Sequence, residues 1–183
     1  MLTVLALPAA LLLGLGLYWF QPWKLWQDAT VHESLPAAPP ATAPTAPGPA
    51  PTLPPTAPAA PAAPAAPRTL AQGSLISHEH TTTGTAKLIR LPDGSLTLRL
   101  EGLDTSNGPD LRVWLTDAPV KEGTEGWRVF DDGKYLSLGK LKGNKGDQNY
   151  PLPADVNPSD YGSVTIWCDR FDVSFGAAAL TAV

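Results

Sequence analysis

The sequence predicts an antiparallel β-sandwich over residues 68–183, preceded by one transmembrane helix and a disordered linker rich in proline and alanine. Three observations support this prediction. The chain starts with an uncharged apolar run, continues with a segment that has almost no large side chain to bury, and ends with short runs that alternate apolar and polar residues. The chain therefore divides into an anchor at 1–27, a linker at 28–67 and a folded domain at 68–183.

The predicted anchor is an uncharged run of 19 residues, from Leu2 to Phe20. About 20 apolar residues cross a bilayer as a helix. No base precedes the run and no Ala-x-Ala follows it, which favours an uncleaved anchor over a signal peptide. Trp19, Trp23 and Trp26 follow at helical spacing, as expected at a membrane interface. Because Lys24 alone would place the linker in the cytoplasm, we expect the true start to lie upstream and to add a basic residue.

The predicted linker is dominated by residues 36–67, where 13 Pro and 13 Ala occur among 32 residues. Such a segment cannot form a core, and proline at this density favours extended geometry at ~3.1 Å per residue. It is interpreted either as a solvated tether or as a spacer through a cell wall, and its place beside a membrane span favours the spacer. With the Ala, Pro and Gly bias, this predicts a single-pass bacterial cell-membrane protein with an extracytoplasmic C-terminal domain.

The predicted domain shows the two-residue period of strands. The runs 96–101, 111–116 and 171–175 alternate apolar and polar residues, and turn sequences such as Pro-Asp-Gly at 92–94 separate such runs. No long run of helical period follows residue 68. Seven or eight short strands joined by turns are typical of an antiparallel β-sandwich.

Several function classes lack support in the sequence. Residues 68–183 carry 12 Lys and Arg against 15 Asp and Glu, scattered along the chain, so nucleic acid is not an expected partner. No phosphate-binding loop, nucleophile elbow or haem-attachment motif is present, which leaves open whether the protein is an enzyme. His78 and His80 would share one face of an extended segment, but a metal site needs further ligands, so exposed or capping histidines and no metal are expected.

Cys168 is the single cysteine, so an intrachain disulfide is excluded. Alternation with Val164 and Ile166 turns it towards the core and turns Trp167 the other way. The spacing alone favours a packing role, since free cysteines are often buried, while a redox group, a ligand or an intermolecular crosslink remains an alternative. In a continuous strand Arg170 would project from the same face and favour a thiolate.

A series of motifs in a fixed order extends across the whole predicted domain. They are Gly73, His80, Gly84, Asn107-Gly-Pro-Asp-Leu111, Val113-Trp-Leu115, the run from Leu138 to Tyr150, Pro153, Val164-Thr-Ile-Trp-Cys168, Phe171 and the run from Phe175 to Leu180. In this order they resemble the DM-thirteen domain, a family described as an electron-transfer module.

The resemblance implies a β-rich extracytoplasmic domain with one characteristic cysteine, here Cys168, that acts as a redox thiol or holds a prosthetic group such as haem. Trp167, Asp110 and His80 are its candidate neighbours, and the membrane and a redox partner protein are the implied partners. Asp110 follows Pro109 and is also expected to accept hydrogen bonds from nearby backbone amides. The expected function is electron transfer, and the alternative is a non-catalytic cell-surface binding module.

Overall fold

The computed structural model describes residues 2–36 and 66–183, without the side chains of residues 2–8 and Leu25. The α-helix α1 spans Leu2–Phe20. Short 3-10 helices lie at Pro22–Trp26, Gly123–Gly126 and Pro158–Asp160. Among the described residues there are eleven strands: β1 (Thr30–His32), β2 (Arg68–Ser74), β3 (Ile76–Ser77), β4 (Thr83–Arg90), β5 (Leu96–Asp104), β6 (Leu111–Thr116), β7 (Tyr135–Lys140), β8 (Lys145–Pro151), β9 (Ser163–Cys168), β10 (Val173–Ala179) and β11 (Thr181–Ala182).

The strands form two sheets that pack face to face. One sheet has six strands in the order β1-β8-β5-β4-β2-β11, and the other has five in the order β3-β10-β9-β6-β7. Neighbouring strands are antiparallel, except that β1 runs parallel to β8. The predicted β-sandwich is confirmed. The count exceeds the expected seven or eight because β1, β3 and β11, each two or three residues long, are too short to show an alternating pattern.

The core between the sheets is built from the alternating strands. Leu98 and Leu100 on β5 and Val113 on β6 are fully buried in it, and Cys168 at the end of β9 belongs to the same cluster. Full burial of such aliphatic side chains contributes about 1.5–3 kcal/mol each. The inward faces predicted from alternation are therefore confirmed for these strands.

A second apolar cluster covers the outer face of the five-stranded sheet. Trp114 stacks on Tyr135, with ring centroids 4.2 Å apart, and on Trp167, with centroids 5.0 Å apart. Phe130, from the connection between β6 and β7, packs edge-on against Trp167. Trp167 does face away from the main core, as predicted, but it is buried because this connection folds back over the sheet.

Residues 28–35, which we call the edge strap, depart from the expected linker because they pack on the domain. Strand β1 lies within the edge strap and pairs with β8 over Thr30–His32. The pairing joins residues more than 100 positions apart in the chain, so nothing in the local sequence indicates it. The folded part of the chain thus includes residues that the sequence analysis assigned to disorder.

Side chains on both sides of β1 fasten the edge strap. The carboxylate of Glu33 accepts hydrogen bonds from Lys142 Nζ at 2.7 Å and from the backbone N–H of Asn149 at 2.8 Å. Asp28 Oδ1 accepts from Asn144 Nδ2 at 2.8 Å. The hydrogen bond from Lys142 lowers the pKa of Glu33. These contacts are charge-assisted and stronger than bonds between neutral groups.

The edge strap shortens the part of the chain that the predicted linker can occupy. The disorder expected for residues 37–65 lies outside the described residues. Strand β1 precedes this segment and β2 follows it, and both strands belong to the six-stranded sheet. Residues 28–35 of the expected 28–67 linker therefore pack on the domain, and the role of the remaining residues as a spacer stays a prediction.

Helix α1 coincides with the predicted anchor and ends where the apolar run ends. Gln21 adopts a left-handed conformation with φ 43°, and its N–H donates to the carbonyl of Leu17 at 2.9 Å, which terminates the helix. Within the residues whose placement is described, no helix combines the length and the hydropathy required to cross a membrane.

The contacts of Glu33 predict a pH-dependent contribution to stability. We expect Glu33→Ala to lower the free energy of unfolding at pH 7 by about 1 kcal/mol, since Lys142 and the N–H of Asn149 lose their acceptor. The folded pKa of Glu33 lies below its ordinary value of 4.5. The wild type should thus be more stable than Glu33→Ala above that pH, and this difference in free energy of unfolding should disappear as the pH falls through the pKa of Glu33 in the folded protein.

Urea denaturation of the purified chain, followed by tryptophan fluorescence, measures this effect. Glu125→Ala removes an exposed carboxylate elsewhere and is the matched control, expected to change stability by less than about 0.5 kcal/mol. Equal denaturation midpoints for Glu33→Ala and wild type would show that the edge strap does not stabilise the fold.

Candidate functional site

The candidate site lies at the end of the sandwich where β9 turns into β10. Cys168 is the last residue of β9 and pairs with Leu111 on β6 and with Val173 on β10. The turn is closed by the N–H of Phe171, which donates to the Cys168 carbonyl at 3.2 Å. Asp172 completes the turn in a left-handed conformation with φ 50°.

The thiol of Cys168 is enclosed by protein. The residue has 0 % exposure. Burial raises the pKa of the thiol and the Glu79 carboxylate raises it slightly, while backbone hydrogen bonds from Arg170, Phe171 and Asp110 act in the opposite direction. The net shift is upward, so the thiol is protonated at neutral pH. These backbone groups favour the thiolate, but their effect on the pKa is smaller than that of burial.

The guanidinium of Arg170 does not lie beside the thiol, which corrects the expectation from alternation. The strand ends at Cys168, so Arg170 belongs to the turn. Its Nη1 donates to the carbonyls of Tyr18 at 3.2 Å and Trp19 at 2.7 Å, and the guanidinium lies 5.2 Å from a ring centroid of Trp19. Arg170 therefore binds the C-terminal end of α1, where the helix dipole favours a cation.

Asp110 lies next to the same turn and is held by an arginine. Its carbonyl accepts from the N–H of Asp169 at 3.0 Å, and its Oδ2 accepts from Arg112 Nη2 at 3.3 Å. Arg112 Nε also approaches Asp169 Oδ2 at 3.1 Å. The expected bonds from backbone amides to the Asp110 carboxylate are not found in this part of the structure. Oδ1 is buried without a hydrogen bond, 3.8 Å from Lys140 Nζ.

The two other candidate neighbours of Cys168 lie on opposite faces of the five-stranded sheet. The side chain of Trp167 lies in the outer cluster, whereas Cys168 lies in the main core. His80 is on the core side, where its ring centroid is 4.0 Å from that of Phe175. The structure thus groups His80 and Asp110 with the end of the sandwich that holds Cys168, and places Trp167 on the opposite face.

His78 and His80 do not share a face, which corrects a second expectation. Strand β3 ends at Ser77, so residues 78–80 form a bend. His78 is buried, with Nδ1 hydrogen-bonded to Ser174 Oγ at 2.7 Å and Nε2 to the Lys121 carbonyl at 3.0 Å. Desolvation lowers the pKa of His78. Across the described residues, no three His, Cys, Asp or Glu side chains are grouped so that they could hold a metal ion.

A cavity of about 340 Å³ opens beside the site, and we call it the aromatic cavity. The β-domain supplies His80, Phe171 and Phe175, and the end of α1 supplies Phe20. Phe20 stacks on Phe171, with ring centroids 5.6 Å apart. This cavity could not be recognised in the sequence, because the residues that line it come from two regions about 150 positions apart that share no motif.

The haem that the resemblance implies does not fit Cys168 in this structure. An iron ligand must face the space that the haem occupies, but Cys168 lines neither the aromatic cavity nor the smaller cavity beside Asp110. The sulfur is covered by the residues packed around it. His80 does line the aromatic cavity, but it stacks there on Phe175.

These features define a β-sandwich domain with one buried cysteine at the end of a central strand. Residues 74–180, more than half of the chain, match the family described as electron transfer DM13, and the chain belongs to this family. No curated protein and no solved structure shows significant similarity to the chain.

The enclosure of Cys168 predicts slow reaction with bulky thiol reagents. We expect N-ethylmaleimide to modify the native protein at least about tenfold more slowly than the urea-unfolded protein at pH 7, because reaction requires local opening. Since the pKa of the Cys168 thiol in the folded protein lies above the ordinary value of 9.0, the rate at which N-ethylmaleimide modifies the native protein should continue to rise above pH 9. Mass spectrometry of timed samples measures both rates. Similar native and unfolded rates would contradict the burial of the thiol.

Proposed function

We propose that the protein is a membrane-anchored, extracytoplasmic electron-transfer module of a bacterial cell envelope, in which the sulfur of Cys168 is the redox-active atom. Membership of the electron transfer DM13 family supports the general role. The observation that carries the assignment to Cys168 is its place at the end of β9, where backbone groups of Arg170, Phe171 and Asp110 lower the pKa of the thiol against the larger effect of burial.

These backbone groups matter because oxidation starts from the thiolate. Negative charge that develops on sulfur in an apolar core is costly unless hydrogen bonds stabilise it. Arg170 and Phe171 belong to the turn after β9, whereas Asp110 precedes β6, so two separate elements place these backbone groups. The thiol is shielded from large reagents, and these groups would favour the thiolate that reacts when a small oxidant reaches the sulfur.

Hydrogen peroxide tests this assignment because it is far smaller than maleimide. The thiolate sulfur attacks one peroxide oxygen and the O–O bond breaks. The displaced hydroxide combines with the thiol proton to form water. Sulfur gains one oxygen and loses two electrons as sulfenic acid, and peroxide is reduced by the same two electrons. We expect Cys168 to be oxidised by peroxide in the native state while it stays blocked to N-ethylmaleimide.

The readout is a mass increase of one oxygen on the peptide that contains Cys168, together with the visible absorbance of the purified chain. Cys168→Ala is the matched control, which should stay folded by circular dichroism and lose the modification. If wild-type Cys168 resists both reagents and no chromophore accompanies the protein, the thiol is a core residue and this assignment fails.

A non-catalytic binding module at the cell surface is the second candidate function. The complete burial of Cys168 and the upward shift of its pKa favour it, since both are typical of inert structural cysteines. Resistance to both reagents would support this function in place of the redox role.

The anchor in this proposal is supported by the sequence of α1, which has no charged residue over its 19 positions. Trp19, Trp23 and Trp26 are 49 %, 43 % and 79 % exposed, as residues that contact lipid headgroups would be. Because the edge strap follows α1 directly, the domain lies close to the end of this helix. The redox partner is therefore expected at or near the membrane surface.

The orientation can be measured with a membrane-impermeant maleimide on intact cells. Glu125→Cys in a Cys168→Ala background places one thiol at an exposed position of the domain. We expect full labelling before lysis. Labelling only after lysis would place the domain in the cytoplasm, and recovery of the protein in the soluble fraction would contradict the anchor.

A further inference from the structure

The lining of the aromatic cavity is rich in flat rings. The rings of Phe20, Phe171, Phe175 and His80 all contribute to its wall. Paired rings on the wall favour offset or edge-on stacking with a third ring, which contributes about 0.5–1.5 kcal/mol beyond the buried area. A cavity of about 340 Å³ is within the range of small-molecule sites. The wall therefore fits an aromatic or quinoid ring better than a flexible acyl chain.

Polar groups, including the carboxylate of Glu79, also line the cavity. Lys24 Nζ contacts the Pro109 carbonyl at 3.5 Å, and an ammonium group has two further hydrogens to donate. The imidazole of His80 also lines the cavity, with Nε2 at 3.8 Å from Glu79 Oε2. These side chains offer hydrogen-bond donors to carbonyl oxygens on a bound ring. A ligand with a ring and carbonyl acceptors matches both the aromatic wall and these donors.

The approach to the cavity is apolar. Phe20 ends α1, and exposed apolar side chains continue along the helix away from the cavity, with Leu12, Leu15 and Leu17 at 70 %, 61 % and 43 % exposure. A ligand that carries an apolar tail could place its ring in the cavity and its tail along this helix. Lys24 is the only Lys or Arg among the residues that line the cavity, and Glu79 lines it as well, so the lining offers little positive charge to bind the phosphates of a water-soluble ring cofactor.

We propose that the aromatic cavity binds the ring of a lipid-soluble quinone. The proposal rests on the proposed function in one respect, because a quinone is a membrane-soluble electron carrier and would be the exchange partner of the domain. Phe20 and Lys24 lie outside the family-matched residues 74–180. The cavity is thus completed by the N-terminal region of this chain and is not a feature of the family domain alone.

Isothermal titration calorimetry of the full chain in detergent, with decylubiquinone as the probe, tests the proposal. We expect saturable binding, with decyl alcohol at the same concentration binding much more weakly because it lacks the ring. Phe20→Ala should weaken decylubiquinone binding about 3- to 10-fold through the lost ring contact. His80→Leu should weaken it as well, through the lost donor.

Trp26→Ala is the matched control, since Trp26 is an exposed aromatic residue of the same segment that does not line the cavity. It should bind decylubiquinone as wild type does, and circular dichroism should show that all variants are folded. Equal affinities for decyl alcohol and decylubiquinone, or no effect of Phe20→Ala and His80→Leu, would overturn the proposal.

The redox assignment of Cys168 and the proposed quinone site can be rejected independently of each other. Cys168→Ala should bind decylubiquinone with wild-type affinity, because the sulfur does not line the cavity. Loss of quinone binding with normal peroxide oxidation of Cys168 would reject only the quinone site, and the reverse result would reject only the redox thiol.

Discussion

The pairing of β1 with β8 is the interaction on which the placement of the functional end depends. This short parallel contact joins the chain that leaves α1 to the edge of the six-stranded sheet. Backbone pairing alone over so few residues is weak, and the charge-assisted bonds of Asp28 and Glu33 strengthen it. With both the edge strap and Arg170 bound, the end of α1 is fixed against the turn after β9. The aromatic cavity exists because of that fixed contact.

Much of the sandwich could be predicted because its main strands follow local rules. The alternation in β5, β6 and β9 and the turn at residues 92–94 are set by side chains close together in the chain. Gly94 there has φ 87°, and Asp93 Oδ1 accepts from the N–H of Ser95 at 2.9 Å, as a turn of this sequence requires. Local chemistry and the final fold agree in these elements.

The features that could not be predicted depend on distant partners. The edge strap pairs with residues more than 100 positions away, and Arg170 binds carbonyls about 150 positions away. Periodicity assigned Arg170 to the face of Cys168 because it assumed that the strand continued, but the turn begins directly after the cysteine. Spacing located Cys168 in the core correctly. It could not show which backbone groups influence the thiol pKa, because these groups come from two separate elements.

The same end of the sandwich therefore contains a buried thiol and an open cavity. Cys168 is shielded from solvent, while the aromatic cavity is accessible from the end of α1. An electron can pass between two groups that do not touch, whereas a proton or an oxygen atom cannot. A shielded sulfur beside an accessible ring site would be protected from disulfide exchange and from bulky oxidants, while a ring in the cavity would stay open to its own electron donors and acceptors. This division fits the presence of one cysteine, since no second thiol is available to resolve an oxidised form.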